Sequence, residues 1–257
     1  MSRRPLADLR LSPFALVLSC TAVSPFALTA QDIADNSFLI EEAYNQEAGV
    51  VQHISAFSRP DGGGAWDYAF TQEWPLGGMT HQLSYTLPVV NPEGGPGTGI
   101  GDIALNYRYQ LVARESADGA TAVHVAPRVS LLLPTGSESK GRGTGEIGVQ
   151  ANVPVSWVVN PVLVTHWNAG MTVASSSAVF NLGASAIYRL RRSVNLLVEA
   201  VWLEPDGVYV NPGIRWAHDF ASGLQIVPGV AYTVAIGPDA GRDALFLYLS
   251  FEHPFSR

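Results

Sequence analysis

Three arginines of this 257-residue chain stand out for where they fall. Arg108, Arg128 and Arg215 each occupy the polar side of a stretch that alternates apolar and polar residues. Asp102, Glu146, Glu199 and Glu252 fall on the same side of comparable stretches, with Asn106, Gln110, Gln150, Asn211 and His124 among them. Charges and hydrogen-bonding groups gathered on one face suit two kinds of chemistry. One is a balanced ion-pair network that rigidifies an interior; the other is an electrostatic constriction that selects what passes. The two readings coexist. Covalent chemistry has less support. The chain has no Gly-x-Ser-x-Gly elbow and no His-Glu-x-x-His or other metal-ligand spacing. His124 is the best isolated candidate base, and no serine and acid are placed with it. His81, His166, His218 and His253 lie on or near apolar faces, where anchoring is expected rather than catalysis. No catalytic residue, metal or cofactor is expected.

The elements that must position these side chains follow from the alternation. Ile103, Leu105, Tyr107, Tyr109 and Leu111 share one side of a segment, and Asp102, Ala104, Asn106, Arg108 and Gln110 share the other. A strand separates the two sets; a helix scatters them. The same separation recurs in twelve segments: 49–58, 66–75, 80–89, 101–113, 121–133, 145–156, 162–174, 179–189, 194–203, 208–218, 224–236 and 244–255. Most are long enough for a tilted strand to cross a bilayer. The polar faces read as a wet lumen.

Composition agrees. Hydrophobic residues make up 47% of the chain and charged residues 14%, against about a quarter charged in a soluble domain. No run of about 18 uncharged apolar residues follows the N-terminus, so transmembrane helices are not expected. Trp66, Trp74, Tyr107, Tyr109, Trp157, Trp202 and Trp216 sit near strand ends, as two aromatic girdles would require. With the N-terminus on the periplasmic side, odd-numbered connections face outward. The third (Val90 to Ile100) and fifth (Pro134 to Thr144) are long, whereas Leu76 to Met79 and Leu190 to Ser193 are short. The fourth and ninth depart from that alternation.

Residues 1–30 read as a secretory signal. Arg3, Arg4 and Arg10 precede an apolar run from Leu11 to Ala22, and Ala27-Leu28-Thr29-Ala30 offers a cleavage site. A lipoprotein signal acylated at Cys20 is the rival. Cleavage removes Cys20, the one cysteine, and excludes disulfide or thiolate chemistry from the mature chain. It also removes three arginines and one aspartate, which moves the formal charge from −7 to −9. So acidic a chain is a poor nucleic-acid binder. Residues 31–48 form an N-terminal segment. Its stretch from Ser37 to Gly49 has helix formers and early acids, and is read equally as a short helix at the mouth or in the lumen, or as an extended tether or part of a longer first strand.

The final segment, Ala244 to Phe255, places Leu245, Leu247, Leu249, Phe251 and Phe255 on one face, and Phe246, Tyr248, Ser250 and Glu252 on the other. It resembles the closing strand of outer-membrane barrels, although Ser256-Arg257 follows the aromatic. Gly99-Ile100-Gly101-Asp102, Pro127-Arg128-Val129-Ser130-Leu131-Leu132-Leu133-Pro134-Thr135-Gly136, and Phe38 to Glu47 ahead of Gly49-Val50-Val51-Gln52-His53 extend the likeness. Over residues 37–255 the chain resembles the outer-membrane transporter family associated with the meta-pathway of phenol degradation. That resemblance implies passage of small hydrophobic or aromatic compounds, and supplies no binding residues.

The expected fold is all-β: a closed antiparallel transmembrane up-and-down β-barrel of about twelve strands over residues 49–257, with a possible short N-terminal helix. The expected role is an outer-membrane channel for a small-molecule permeant. The expected partners are outer-membrane lipid, lipopolysaccharide and the barrel assembly machinery. The alternatives are a plugged structural or adhesion barrel, a lipid-acting barrel enzyme and a soluble secreted sandwich.

Overall fold

The computed structural model describes residues 37–174 and 177–255. The secretory signal read at 1–30 lies outside them, as do Gln31 to Asn36 and Ser256-Arg257. The described chain is a closed antiparallel barrel of twelve strands. Eight of the strands are continuous: β1 (Val50–Pro60), β2 (Trp66–Pro75), β3 (His81–Asn91), β9 (Gly148–Asn160), β10 (Leu163–Ala174), β11 (Ser177–Arg191), β12 (Val194–Leu203) and β15 (Gln225–Ile236). The closing strand β16 (Ala244–Pro254) is also continuous. The other three are segmented. The fourth runs through β4 (Gly99–Ile100), β5 (Ile103–Tyr109) and β6 (Val112–Glu115). The fifth is β7 (Ala122–Val125) with β8 (Arg128–Leu133), and the tenth is β13 (Gly207–Trp216) with β14 (His218–Asp219). Pro127 lacks the N–H a ladder needs, yet the sheet survives there. Tyr109 N donates to Pro127 O at 3.0 Å and Leu111 N to Val125 O at 2.9 Å.

Closure is made by β16 on β1, in register from Val50 opposite Pro254 to Pro60 opposite Ala244. Phe255 N extends it by donating to Gly49 O at 2.8 Å. A closed sheet has no unpaired edge, which is what hydrocarbon demands of a β structure. Among the described residues no helix is long and apolar enough to cross a membrane. The outer face carries exposed Leu105, Val129, Leu131, Val149, Leu182, Val198, Leu245, Leu247 and Leu249. Such a belt in water would be an aggregation site; in a bilayer it is the solvated surface. Following the strands from end to end puts Trp66 and Trp202 near one rim. Trp74, Tyr107, Tyr109, Trp157 and Trp216 lie near the other.

The rim opposite the termini carries the longest connections, 134–147, 92–98 and 237–243. The first is clasped by Asp102. Its Oδ1 accepts Gly136 N at 2.9 Å, and its Oδ2 accepts Thr144 N at 2.7 Å and Thr144 Oγ1 at 3.0 Å. Thr135 Oγ1 donates to Gly101 O at 2.7 Å and accepts Ile103 N at 2.9 Å. A Cβ on Gly136 would stand 2.8 Å from the Arg142 carbonyl carbon, so only glycine lets the two loop strands meet there. The short glycine motifs of the sequence are thus loop architecture.

The interior has two halves. Inward residues of β12, β13, β15, β16 and β1, including Leu197, Val201, Ala231, Phe246, Tyr248 and Ile54, form an apolar cluster. Inward residues of β2, β3, β5, β8, β9 and β10 are mostly polar, among them Thr71, Glu73, Gln82, Asn106, Arg128, Asn152 and Asn168, although Val158 and Val164 join the apolar cluster and the first group also buries Glu199, Asn211, Arg215 and Glu252. The uniformly wet lumen expected from the strand patterns is corrected on the first side. The reason is that an apolar segment of the chain itself fills it.

Candidate functional site

That segment is residues 37–46. Every one of them is buried inside the barrel, and none is in a helix. The helix considered for this stretch is therefore corrected to an extended plug. Helix propensity is worth only tenths of a kcal/mol per residue, and here the wall supplies better partners for the backbone. Glu199 Oε1, on β12, accepts Phe38 N at 2.9 Å, Leu39 N at 2.8 Å and Ile40 N at 3.0 Å. Asn168 on β10 accepts Glu41 N at 2.8 Å and returns a bond to Glu41 O at 2.6 Å. Ser156 Oγ on β9 accepts Ala43 N at 2.8 Å. Gln110 accepts Asn45 N at 3.2 Å and donates to Ala43 O at 2.9 Å. Gln82 Oε1 on β3 accepts Gln46 N at 2.6 Å. The wall thus replaces the hydrogen bonds a helix would have made with itself. A turn at Ala48-Gly49, with Gly49 at φ 82°, then delivers the chain to β1.

The plug's side chains divide as the lumen does. Phe38 packs on Phe246 and Tyr248 at ring-centroid distances of 5.6 and 5.2 Å. A Cβ on Gly213 would lie 2.7 Å from the Phe38 ring, a Cβ on Gly229 closer still, and a Cβ on Gly183 would collide with Ile40 Cδ1. These strand glycines leave room for the plug. On the polar side the Glu41 carboxylate sits in a cradle. Arg128 Nε meets its two oxygens at 2.8 and 2.9 Å, Asn152 Nδ2 donates to Oε2 at 2.6 Å, and Arg108 Nη1 stands 3.5 Å away. Arg108 also donates to Glu42 O at 3.1 Å and to Asn45 Oδ1 at 3.0 Å, and lies 3.6 Å from Glu73. Arg128 further holds Gln150 Oε1 at 2.7 Å and Asn106 Oδ1 at 3.1 Å. Beside this cradle a cavity of about 20 Å³ remains, room for about one water.

Of the twelve residues named from sequence, Asn106, Arg108, Gln110, His124, Arg128, Gln150, Glu199 and Asn211 surround the plug. Asn211 does so through Glu199 Oε2, to which it donates at 2.8 Å. Arg215 and Glu252 are inward and buried, Glu252 within 3.5 Å of Gln46. Two placements are corrected. Asp102 serves the rim loop described above. Glu146 is exposed ahead of β9, because that strand starts at Gly148.

A third correction concerns His166, which is fully buried and inward while its neighbour Trp167 takes the outer face. His166 Nδ1 is 2.7 Å from Ser156 Oγ, and Tyr44 packs on both His124 and His166. Among the described residues no carboxylate contacts His166 and none partners its Nε2, and Ser156 Oγ is engaged by Ala43 N of the plug. Residues missed from sequence include Glu73, Gln82, Asn152 and Asn168. Their signal was present, since each falls on the polar phase of its strand. Glu41 gave none, because a carboxylate in an unpatterned segment has no readable partner.

No protein-family model and no curated protein sequence matches the chain. Solved structures do. The COG4313 outer membrane channel from Pseudomonas putida F1 superposes with a TM-score of 0.60 at 11% identity, over 82% of this chain and 97% of that one. The KdgM porin matches with a TM-score of 0.52 at 7% identity, over 80% and 99%. The NanC porin matches with 0.51 at 9% identity, over 80% and 100%. The chain thus has the fold of outer-membrane channels and porins.

Proposed function

We propose that the protein is an outer-membrane channel for small molecules, closed at rest by its own N-terminal segment. The carrying observation is that the wall is complete without the plug. Residues 37–46 contribute no strand to the sheet, which β16 and β1 close behind them. Withdrawing the plug therefore leaves a tube, and the contacts that hold the plug are side-chain hydrogen bonds such as those of Glu199, Asn168 and Gln82, the Glu41 ion pairs and packing. The fold likeness to channels supports this reading. The apolar half of the lumen supports small compounds with an apolar or aromatic body, as the phenol-pathway resemblance implies. The apolar belt and girdles fit outer-membrane lipid and lipopolysaccharide, and the alternation of β16 fits recognition by the barrel assembly machinery.

The experiment is planar-bilayer recording of the purified protein, paired with solute exchange in proteoliposomes. Resolvable openings and solute exchange are the expected outcome. Silence in both assays, with intact heat-modifiable gel mobility, would leave the second reading, a permanently plugged structural barrel. The density of wall-to-plug hydrogen bonds is the observation that favours that second reading.

A further inference from the structure

Glu41 is the only carboxylate on Arg128 among the described residues, and both groups are buried. Withdrawal of the plug strips Arg128 of its counter-charge inside the barrel. Leaving a buried charge unpaired is strongly unfavourable. A neutral solute does not relieve it. A carboxylate does, in the geometry already built: two oxygens on Arg128 and a donor from Asn152 Nδ2. On the wall the adjoining cavity is lined by Arg128, Gln150, Asn152, Asn168 and Asn181 together with Gly183 and Val201, while Leu39 and Ile40 line it from the plug. With the plug gone, the carboxylate-binding donors adjoin the apolar cluster of the wall through Val201.

We propose that the Arg128–Asn152 cradle is a carboxylate-exchange site. A small monocarboxylate with an apolar body takes the place of Glu41 as the plug leaves, and this class of solute both opens the channel and passes through it. The inference rests on the channel reading above and names its substrate class.

The test compares benzoate with benzyl alcohol, which matches its ring without the charge. In planar bilayers, saturating benzoate should raise the open fraction of the wild-type channel by about tenfold, a modest differential affinity. Benzyl alcohol at equal concentration should not. Arg128→Gln should abolish the benzoate response, read as the ratio of open fractions with and without benzoate in the same variant. Separately, Glu41→Ala in detergent vacates the cradle, and benzoate should raise its thermal midpoint by a few degrees where benzyl alcohol does not. Glu41→Gln serves the same purpose if the alanine variant does not fold.

Equal responses to the two solutes, or a benzoate response that survives Arg128→Gln, overturn the exchange site. A wild-type protein that never conducts, while benzoate still stabilises the Glu41 variant, removes the channel reading and leaves the binding site standing. Normal conductance with no benzoate effect in either assay does the reverse.

Discussion

One carboxylate oxygen, Glu199 Oε1, receives three consecutive backbone N–H groups of the plug, at Phe38, Leu39 and Ile40. Hydrogen bonds to a charged group are worth more than neutral ones, about 1.5–3 against about 1 kcal/mol each. Glu199→Gln keeps an acceptor and removes the charge. Its expected effect is about 1.4 kcal/mol of lost plug affinity, or about a tenfold larger open fraction in single-channel recordings. An unchanged open fraction would place the plug's hold elsewhere. Gly229 provides the steric counterpart, because its missing Cβ leaves room for the Phe38 ring. Overpacking typically costs about 1–3 kcal/mol. Gly229→Ala should therefore shift the balance toward the open barrel, raising conductance while the folded band on unheated gels persists. Sequence reasoning reached Glu199 through the phase of its strand. It did not reach Gly229's role, since a glycine on an inward face looks the same whether it fills space or vacates it.

At the scale of elements, the alternation was nearly sufficient. All twelve segments read from sequence became strands, with β2 and β12 matching residue for residue. The largest boundary error was β9, read as 145–156 and found at Gly148–Asn160. Glu146 continues the alternating pattern beyond the point where the Asp102 clasp takes over the backbone, so pattern alone ran three residues too far. The plug was legible only in part, as a segment that fills the lumen on one reading and as helix or extended tether in equal measure, and for a different reason. Its conformation is set by the wall's side chains rather than by its own periodicity, and propensity is a weak guide where the environment supplies the hydrogen bonds. Asp102 gives the element scale its own prediction. The residue holds the 134–147 loop through three hydrogen bonds and touches no plug residue. Asp102→Ala should speed proteolytic cutting within 134–147 several-fold and leave single-channel conductance unchanged. A changed conductance with an uncut loop would restore Asp102 to the permeation pathway.

For the whole molecule, the question dividing a channel from an inert barrel is whether the plug leaves the lumen as a body. The chain is well suited to an answer, because its one cysteine, Cys20, precedes the plug and falls in the expected signal. A Cβ on Gly183 would meet the Ile40 side chain head-on, 3.7 Å from its Cγ1, so the two positions face each other across the plug–wall contact. Ile40→Cys with Gly183→Cys, in the chain without its signal, would tie plug to wall. If opening requires withdrawal, oxidation should reduce the open fraction at least tenfold, and a reductant should restore it within one recording. Each single-cysteine variant controls for the loss of Ile40 packing. Conductance that ignores the crosslink would mean that solutes pass beside a fixed plug. Reversible closure would instead identify the ten residues from Ser37 to Gln46 as the moving part. Their dissociation from Glu199, Arg128 and Gln82 would then be the event whose free energy sets how often the barrel opens.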